Sequence, residues 1–464
     1  MTLSNTNKWG LFIWALIFLW ALLSLSFDVI RFHMNASALQ RLNMQAFTGI
    51  VDEVWNDTVN QDLNGRVRHT PDPVKLDIVH RSGRAYDTRN SSFPHLCEAK
   101  LREKGLWQDW AFAHQPTSRP PVIWLDPAPN CYKRLNGKCV FHFEWDWIFS
   151  FVLRRVPGID PSQLIADAEF RTLSDGGIYI FSQNTWSWGK FHRLSKALCV
   201  CDSAATLIHI SDEAGIETPA YSQWSLIVRN YFNKAVVDNP TWGRNVVVVP
   251  LGFATSFWMN APGIHHVPSV RERNYSWVFY GDPHKSTRRR MQSAMKTVPG
   301  GFSYYTSGGF ATEEMIAPYK VRDTLTHSIF CPSPMGFSNP DTFRFSEALE
   351  AGCFPITDAG NGPKGYFTEY FERYDPGGPA MDYIMEVPNV DAWADVPLRI
   401  EQAMMNMTEL QARHSAMVAW WDQFKDRLSR DIANRLIRSK HRRDVANRLI
   451  ESKHRSYRKR ASCG

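Results

Sequence analysis

The stretch CPSPMGFSNPDTFRFSEALEAGCFPIT, residues 331–357, ends a short apolar run in prolines. It then loops through Gly, Ser, Asn and Asp, and places one Arg and two Glu on an otherwise apolar helix. Asn339 is the expected N-cap, Pro340 suits the first helical position, and Asp341 complements the positive end of the dipole. The helix is expected to reach Ala351, where Gly352 supplies the C-terminal turn, and CFPIT (353–357) re-enters the interior as a buried strand. In open α/β sheets, loops at the carboxyl ends of strands form the ligand crevice. Arg344 and Glu347 are three apart, on one face of the first turns. A guanidinium there can meet a phosphate, and a carboxylate there can accept from two ribose hydroxyls. The alternative is an i,i+3 ion pair on a solvated face.

A second stretch matches it. WVFYGDPHKSTRRRM (277–291) reads as strand, then Gly281, then a helix starting near Ser286 or Thr287. Lys285 and Arg288 at that helix start oppose the helix dipole, which makes a bound anion such as a diphosphate the natural complement. YYTSGGF (304–310) adds a Gly-rich loop containing Ser307 after the next strand. No Gly-x-Gly-x-x-Gly is present.

Around these lie two series of short runs rich in β-branched residues. The first is 121–126, 177–182, 206–213, 225–232 and 245–253; the second is 275–281, 302–306, 327–332 and 353–357. They lack period-2 polarity, as parallel strands covered on both faces do. Helical segments at about 286–297, 312–326 and 340–351 separate the second series. The expected fold is α/β, with two Rossmann-like doubly wound domains (96–265 and 266–415) facing a cleft. APGIHHVPSVRER (261–273) is the linker.

The flanks differ from this body. Residues 9–27 carry no charge, and nineteen residues at about 1.5 Å each span roughly the 30 Å of a bilayer core. The run is longer than a signal-peptide h-region, so an uncleaved transmembrane anchor is expected, with 1–8 cytosolic. Residues 28–95 are polar and irregular and read as a stem. Five Asn-x-Ser/Thr sequons, at Asn35, Asn56, Asn90, Asn274 and Asn406, fit a lumenal body. Eight Cys fit an oxidising compartment; a Cys131–Cys139 disulfide would close a hairpin turning at Asn136-Gly137. Cys199 and Cys201 are too close to pair easily with each other, and no Cys-x-x-Cys suggests zinc.

Net charge is +7, but residues 425–464 alone hold fourteen Lys/Arg against four Asp/Glu. The rest is near neutral, which gives no reason to propose a nucleic-acid partner. Within the basic helical tail (416–464), DIANRLIRSKHR (431–442) recurs as DVANRLIESKHR (444–455). This reads as a solvated duplicated helix; contact with anionic headgroups or an acidic glycan is the alternative.

The pattern Arg-x-x-Glu-Ala-x-x-x-Gly-Cys-x-Pro-Ile (344–356) resembles the C-terminal half of exostosin-like glycosyltransferases. FYG and Arg288 (279–288) look like the opening of their nucleotide domain. HISDE (209–213) and LIVRNYF (226–232) look like the Golgi branch that includes a ribitol xylosyltransferase. The resemblance covers about 200–360; CFPI replaces the commoner CIPV, and the duplicated tail has no counterpart. It implies a GT-B fold and inverting transfer from a nucleotide-sugar, UDP-xylose or UDP-glucuronate, to a glycan acceptor by a single-pass type II Golgi membrane enzyme. The diphosphate and ribose would fall to Arg344 and Glu347, with Arg288 on phosphate. A GDP-fucose-dependent fucosyltransferase and a non-catalytic glycan-binding protein are the alternatives, and a homodimer is left open.

Such a reaction needs a base for the acceptor hydroxyl and cations for the leaving diphosphate. Asp212 and Glu213 follow a strand at the expected cleft edge; adjacent carboxylates on an extended chain cannot both face one atom, so one at most is the base. Their alternative is a helix first turn capped by Ser211. Arg229 and Asn230 are candidates to orient acceptor or donor. No Asp-x-Asp occurs, so no metal cofactor is expected and cationic side chains should hold the diphosphate.

Overall fold

The computed structural model describes residues 92–461 apart from the segments 114–119, 126–132, 136–137, 141–143, 161–163, 183–187, 214–218, 260–266, 307–315, 337 and 359–364. The chain divides into units 1–84 and 85–464, and the described residues belong to the second. The expected cytosolic segment 1–8, the anchor 9–27 and the stem as far as residue 91 lie outside the described residues. Among the described residues, no helix is long and apolar enough to cross a membrane.

Two parallel sheets carry the fold. The first contains β1 (Val122–Leu125), β2 (Ile165–Ala166), β3 (Ile178–Ser182), β4 (Thr206–Ile210), β5 (Leu226–Arg229) and β6 (Val246–Val248), in the order β2-β1-β3-β4-β5-β6. The second contains β7 (Tyr275–Gly281), β8 (Gly301–Tyr305), β9 (Ser328–Ser333), β10 (Phe354–Asp358) and β11 (Met385–Val387), in the order β8-β7-β9-β10-β11. Every pairing in both sheets is parallel. The apolar runs explain this, because β3, β4 and β9 are buried along their whole length, as strands covered on both faces must be. In each sheet the strand order reverses next to the first strand, so the loops leaving β7 and β9 diverge and open a crevice at their carboxyl ends.

Helices cover both sheets. On the first, α1 (Ser92–Glu103) is tied to the end of α2 (Trp188–Val200) by the Cys97–Cys201 disulfide. Thus α1 crosses the expected stem boundary at residue 95, and Cys201 pairs with Cys97, not with its neighbour Cys199, which is free and exposed. Phe191 of α2 stacks on Phe181 of β3 at 4.3 Å, joining helix to sheet. Cys131 lies outside the described residues, but Lys133–Leu135 and Lys138–Val140 pair antiparallel with Leu135 opposite Lys138, the register of a two-residue hairpin.

On the second sheet lie α3 (Arg288–Met295), α4 (Pro318–Thr326), α5 (Phe343–Glu350), α6 (Tyr366–Tyr374) and α7 (Val396–Met405). α5 starts later than expected: Thr342 is its N-cap, and Pro340 and Asp341 precede it. The Asn339 side chain accepts from the Asp341 N–H at 3.0 Å, an Asx turn that competes with capping. Gly352, with φ +67°, ends the helix as expected, and the Cys353 N–H closes the turn on the Ala348 carbonyl at 2.7 Å.

The sheets meet along a seam of hydrogen bonds. Backbone N–H groups after β6 donate to α5 and its leading loop: Leu251 to Asp341 (2.9 Å), Gly252 to Ser346 (3.2 Å) and Ala254 to Glu347 (3.1 Å). The Tyr366 and Tyr374 hydroxyls of α6 accept from the Phe232 and Val248 N–H groups. α8 (Met407–Ala461) braces the back. Its Trp421 and Lys425 bind Glu350 at the end of α5, while Ser429 reaches the Phe151 carbonyl under the first sheet. The tail is therefore not solvated throughout: the expected boundary at 416 falls inside α8, and Trp421, Phe424, Ile432 and Leu436 are core residues. Each buried side chain of this size stabilises by about 1.5–3 kcal/mol.

Candidate functional site

The crevice between β7 and β9 holds a pocket enclosing about 120 Å³. Lys285, Arg288, Arg344, Glu347, Gly281 and Asp282 line its polar side, and Val278, Val321 and Leu325 its apolar side. That space suits a phosphate-sized group, so the rest of a larger ligand would lie in the open cleft. The two sequence stretches therefore meet at one point, where the reversal of strand order places them.

Each cation has a distinct seat. Arg344, in the first turn of α5, is buried with its guanidinium 5.3 Å from the Phe279 ring centroid, and its Nε donates to the Tyr280 carbonyl. Arg288 is the first residue of α3 and 2% exposed. Its Nη1 donates to the Asp282 carbonyl at 3.0 Å, and its Nε is buried without a partner. Burial, with the Arg344 charge adding to it, lowers the Arg288 guanidinium to about 9. Burial likewise lowers Arg344. Lys285 is lowered by burial and by Arg288. Like charges gathered out of water raise the free energy of the empty site, and an anion between them relieves it.

Gly281 does not merely turn the chain. With φ +144°, it leaves room for Arg344: a Cβ there would lie 2.2 Å from Nη2. Glu347 points one oxygen at the Ala254 N–H across the seam, and burial raises its carboxyl to about 7. It is not on an exposed helix face, because α5 is buried on nearly every side. Ser307 lies outside the described residues, while Tyr304 and Thr306 beside it line the pocket.

The first-sheet candidates separate. Asp212 and Arg229 are both fully buried and form an ion pair; Arg229 also donates to the Tyr221 hydroxyl at 3.1 Å, which meets His209 Nδ1. The Arg229 charge also acts on the Tyr366 hydroxyl of α6, across the seam. Glu213 differs: its Oε1 accepts from the Ser338 N–H at 3.0 Å in the loop after β9, and its charge acts on Lys285 and Arg288. Asn230 is buried, donating to Glu144 at 2.5 Å while its Oδ1 has no partner.

Glu144 is a residue that sequence reasoning missed. It is buried, it binds Asn230 and Ser211, and it stands near Asp341 on the other side of the seam. Ser211 and Tyr231, at the carboxyl ends of β4 and β5, both adopt φ +60°, a strained conformation for residues with side chains. Among the described residues, no three His, Cys, Asp or Glu are grouped to hold a metal ion.

No protein-family model matches this chain, and no curated protein matches it. Among solved structures it is similar to one titled "T4 phage BGT in complex with UDP and Mn2+", at 10% identity and a TM-score of 0.36, over 68% of this chain and 99% of that chain.

Proposed function

We propose that the chain is an inverting glycosyltransferase of GT-B architecture that grips the diphosphate of a nucleotide-sugar with Arg288, Arg344 and Lys285. The observation that carries this reading is the convergence of two buried guanidiniums, one with an unpartnered Nε, on a single pocket at the reversal point of a doubly wound sheet. Such a cluster in the ligand crevice of an α/β fold is complementary to a polyanion. The departing diphosphate gains negative charge as the glycosidic bond breaks, so fixed cations stabilise the transition state more than the ground state. Neutralisation by side chains also supports a metal-independent reaction.

Glu213 is the base in this reading, since it reaches the cleft from the first sheet while Asp212 is taken up by Arg229. The motif at 344–356 supports the exostosin-like branch, and with it UDP-xylose or UDP-glucuronate as donor, a glycan acceptor, and a Golgi membrane setting through residues 9–27. The two disulfides among the described residues, Cys97–Cys201 and Cys331–Cys353, fit an oxidising compartment.

A thermal-shift panel tests the function. A nucleoside diphosphate and its sugar should raise Tm in the presence of EDTA, and the sugar donor should hydrolyse slowly. Stabilisation by glycans alone, with no response to any nucleotide, would make the protein a glycan binder.

A further inference from the structure

Asp358 ends β10, the strand after α5, and is 3% exposed. No part of the diphosphate grip described above uses it. Its carboxylate nevertheless gathers three elements. Oδ2 accepts from the Thr287 hydroxyl at 2.6 Å and from the Met335 N–H at 2.7 Å; Oδ1 accepts from Trp393 Nε1 at 2.5 Å. Thr287 is the N-cap of α3 and immediately precedes Arg288. Met335 lies in the loop leaving β9, where Ser338 three residues on holds Glu213. Trp393 is a fully buried core residue.

A carboxylate behind an anion site is electrostatically adverse, since it repels the ligand the site would hold. Its hydrogen bonds explain its presence. The Thr287 hydroxyl donates to Asp358, and the side chain makes no cap bond to the first turn of α3. The Arg288 and Arg290 N–H groups of that first turn donate to the Lys285 and Thr287 carbonyls at 3.1 and 3.0 Å, so what the Thr287–Asp358 bond fixes is the place where α3 begins. The same oxygen holds the β9 loop, so one atom joins the start of α3, which carries Arg288, to the loop that leads into α5 and Arg344.

We infer that Asp358 is a positioning residue, holding the start of α3 and the β9 loop at the separation that lets them close on a nucleoside diphosphate. This rests on the proposed function. Asp358 touches no ligand itself; it acts through Thr287 and Met335, and Trp393 anchors it to the core.

Uridine diphosphate is titrated calorimetrically into the purified protein and four variants, with Tm measured for each. Thr287→Val removes one hydrogen bond to a carboxylate and should weaken binding about tenfold with little change in Tm. Thr287→Ser keeps the hydroxyl and should restore wild-type affinity. Asp358→Asn replaces an acceptor shared by two donors and should weaken binding at least as much as Thr287→Val. Trp393→Phe removes only the core bond and should lower Tm while affinity stays within about twofold. Wild-type affinity in Thr287→Val and Asp358→Asn, or an affinity loss that follows Tm across the set, overturns the inference while leaving the functional reading intact. If the wild-type protein binds no nucleoside diphosphate, the functional reading fails and takes this role with it.

Discussion

Gly281 and Arg344 share one space: the missing side chain of the first is filled by the guanidinium of the second, 2.2 Å from where a Cβ would stand. β7 thus ends in glycine because α5 needs room to project a charge into the pocket. Gly281→Ala should displace Arg344 and also strain a backbone at φ +144°. The expected result is a loss of nucleotide affinity of about tenfold or more, the worth of a charge-assisted hydrogen bond. Titration of the folded variant checks this; unchanged affinity would mean that Arg344 does not meet the ligand.

The neighbouring carboxylates Asp212 and Glu213 should give opposite phenotypes. Asp212→Asn breaks a fully buried ion pair with Arg229, which typically costs about 3–5 kcal/mol. It should lower Tm sharply. Glu213→Gln should leave Tm and nucleotide affinity near wild type while transfer falls by about 10²–10⁴, as removal of a general base does. Denaturation and initial-rate assays separate the two, and a fully active Glu213→Gln variant would place the base elsewhere.

Asp341 should make stability depend on pH. Burial, with Glu144 adding to it against the Leu251 N–H, pushes its carboxyl up to about 8. In the unfolded chain the group titrates near 3.9. The native state therefore keeps a proton that the unfolded state releases, and stability falls as pH rises from about 4 to about 8. Glu347, raised to about 7, acts with the same sign. Tm should drop between about pH 5 and pH 8, and Asp341→Asn should flatten that slope. Equal slopes in both proteins would count against this assignment.

The Cys331–Cys353 disulfide closes a loop, with a sequence separation of 22, that contains all of α5 and both Arg344 and Glu347. Such a closure stabilises by about 3 kcal/mol in the chain-entropy account. Replacing both cysteines by serine should lower Tm and also weaken nucleotide binding, because the loop freed is the one that carries the site. A Tm loss with unchanged binding would show that the seam alone holds α5 in place.

Much of the fold was legible in the sequence because buried parallel strands are continuous apolar runs. β3, β7 and β10 lie within one residue of their expected bounds. β2 and β11 were missed, since two or three residues at a sheet edge carry no pattern. The two arginine sites were legible because glycine and proline mark the loops and the charges stand out at helix starts. Glu144, Asp341 and Asp358 were not seen as a group. Their roles come from contacts across 23 to 90 positions, and no local spacing encodes these. The buried Asp212–Arg229 pair was not legible for the same reason, since a charged residue at a strand end reads identically whether or not it has a buried partner.

The central claim is that Arg288 and Arg344 together grip a diphosphate. Calorimetric titration of uridine diphosphate against uridine, on the wild type and on Arg288→Ala/Arg344→Ala, tests it most directly. The account expects the wild type to bind the diphosphate about a hundredfold or more tighter than the nucleoside, and the double variant to lose that difference while staying folded. Equal binding of the two ligands by the wild type, or a double variant that still prefers the diphosphate, would contradict it.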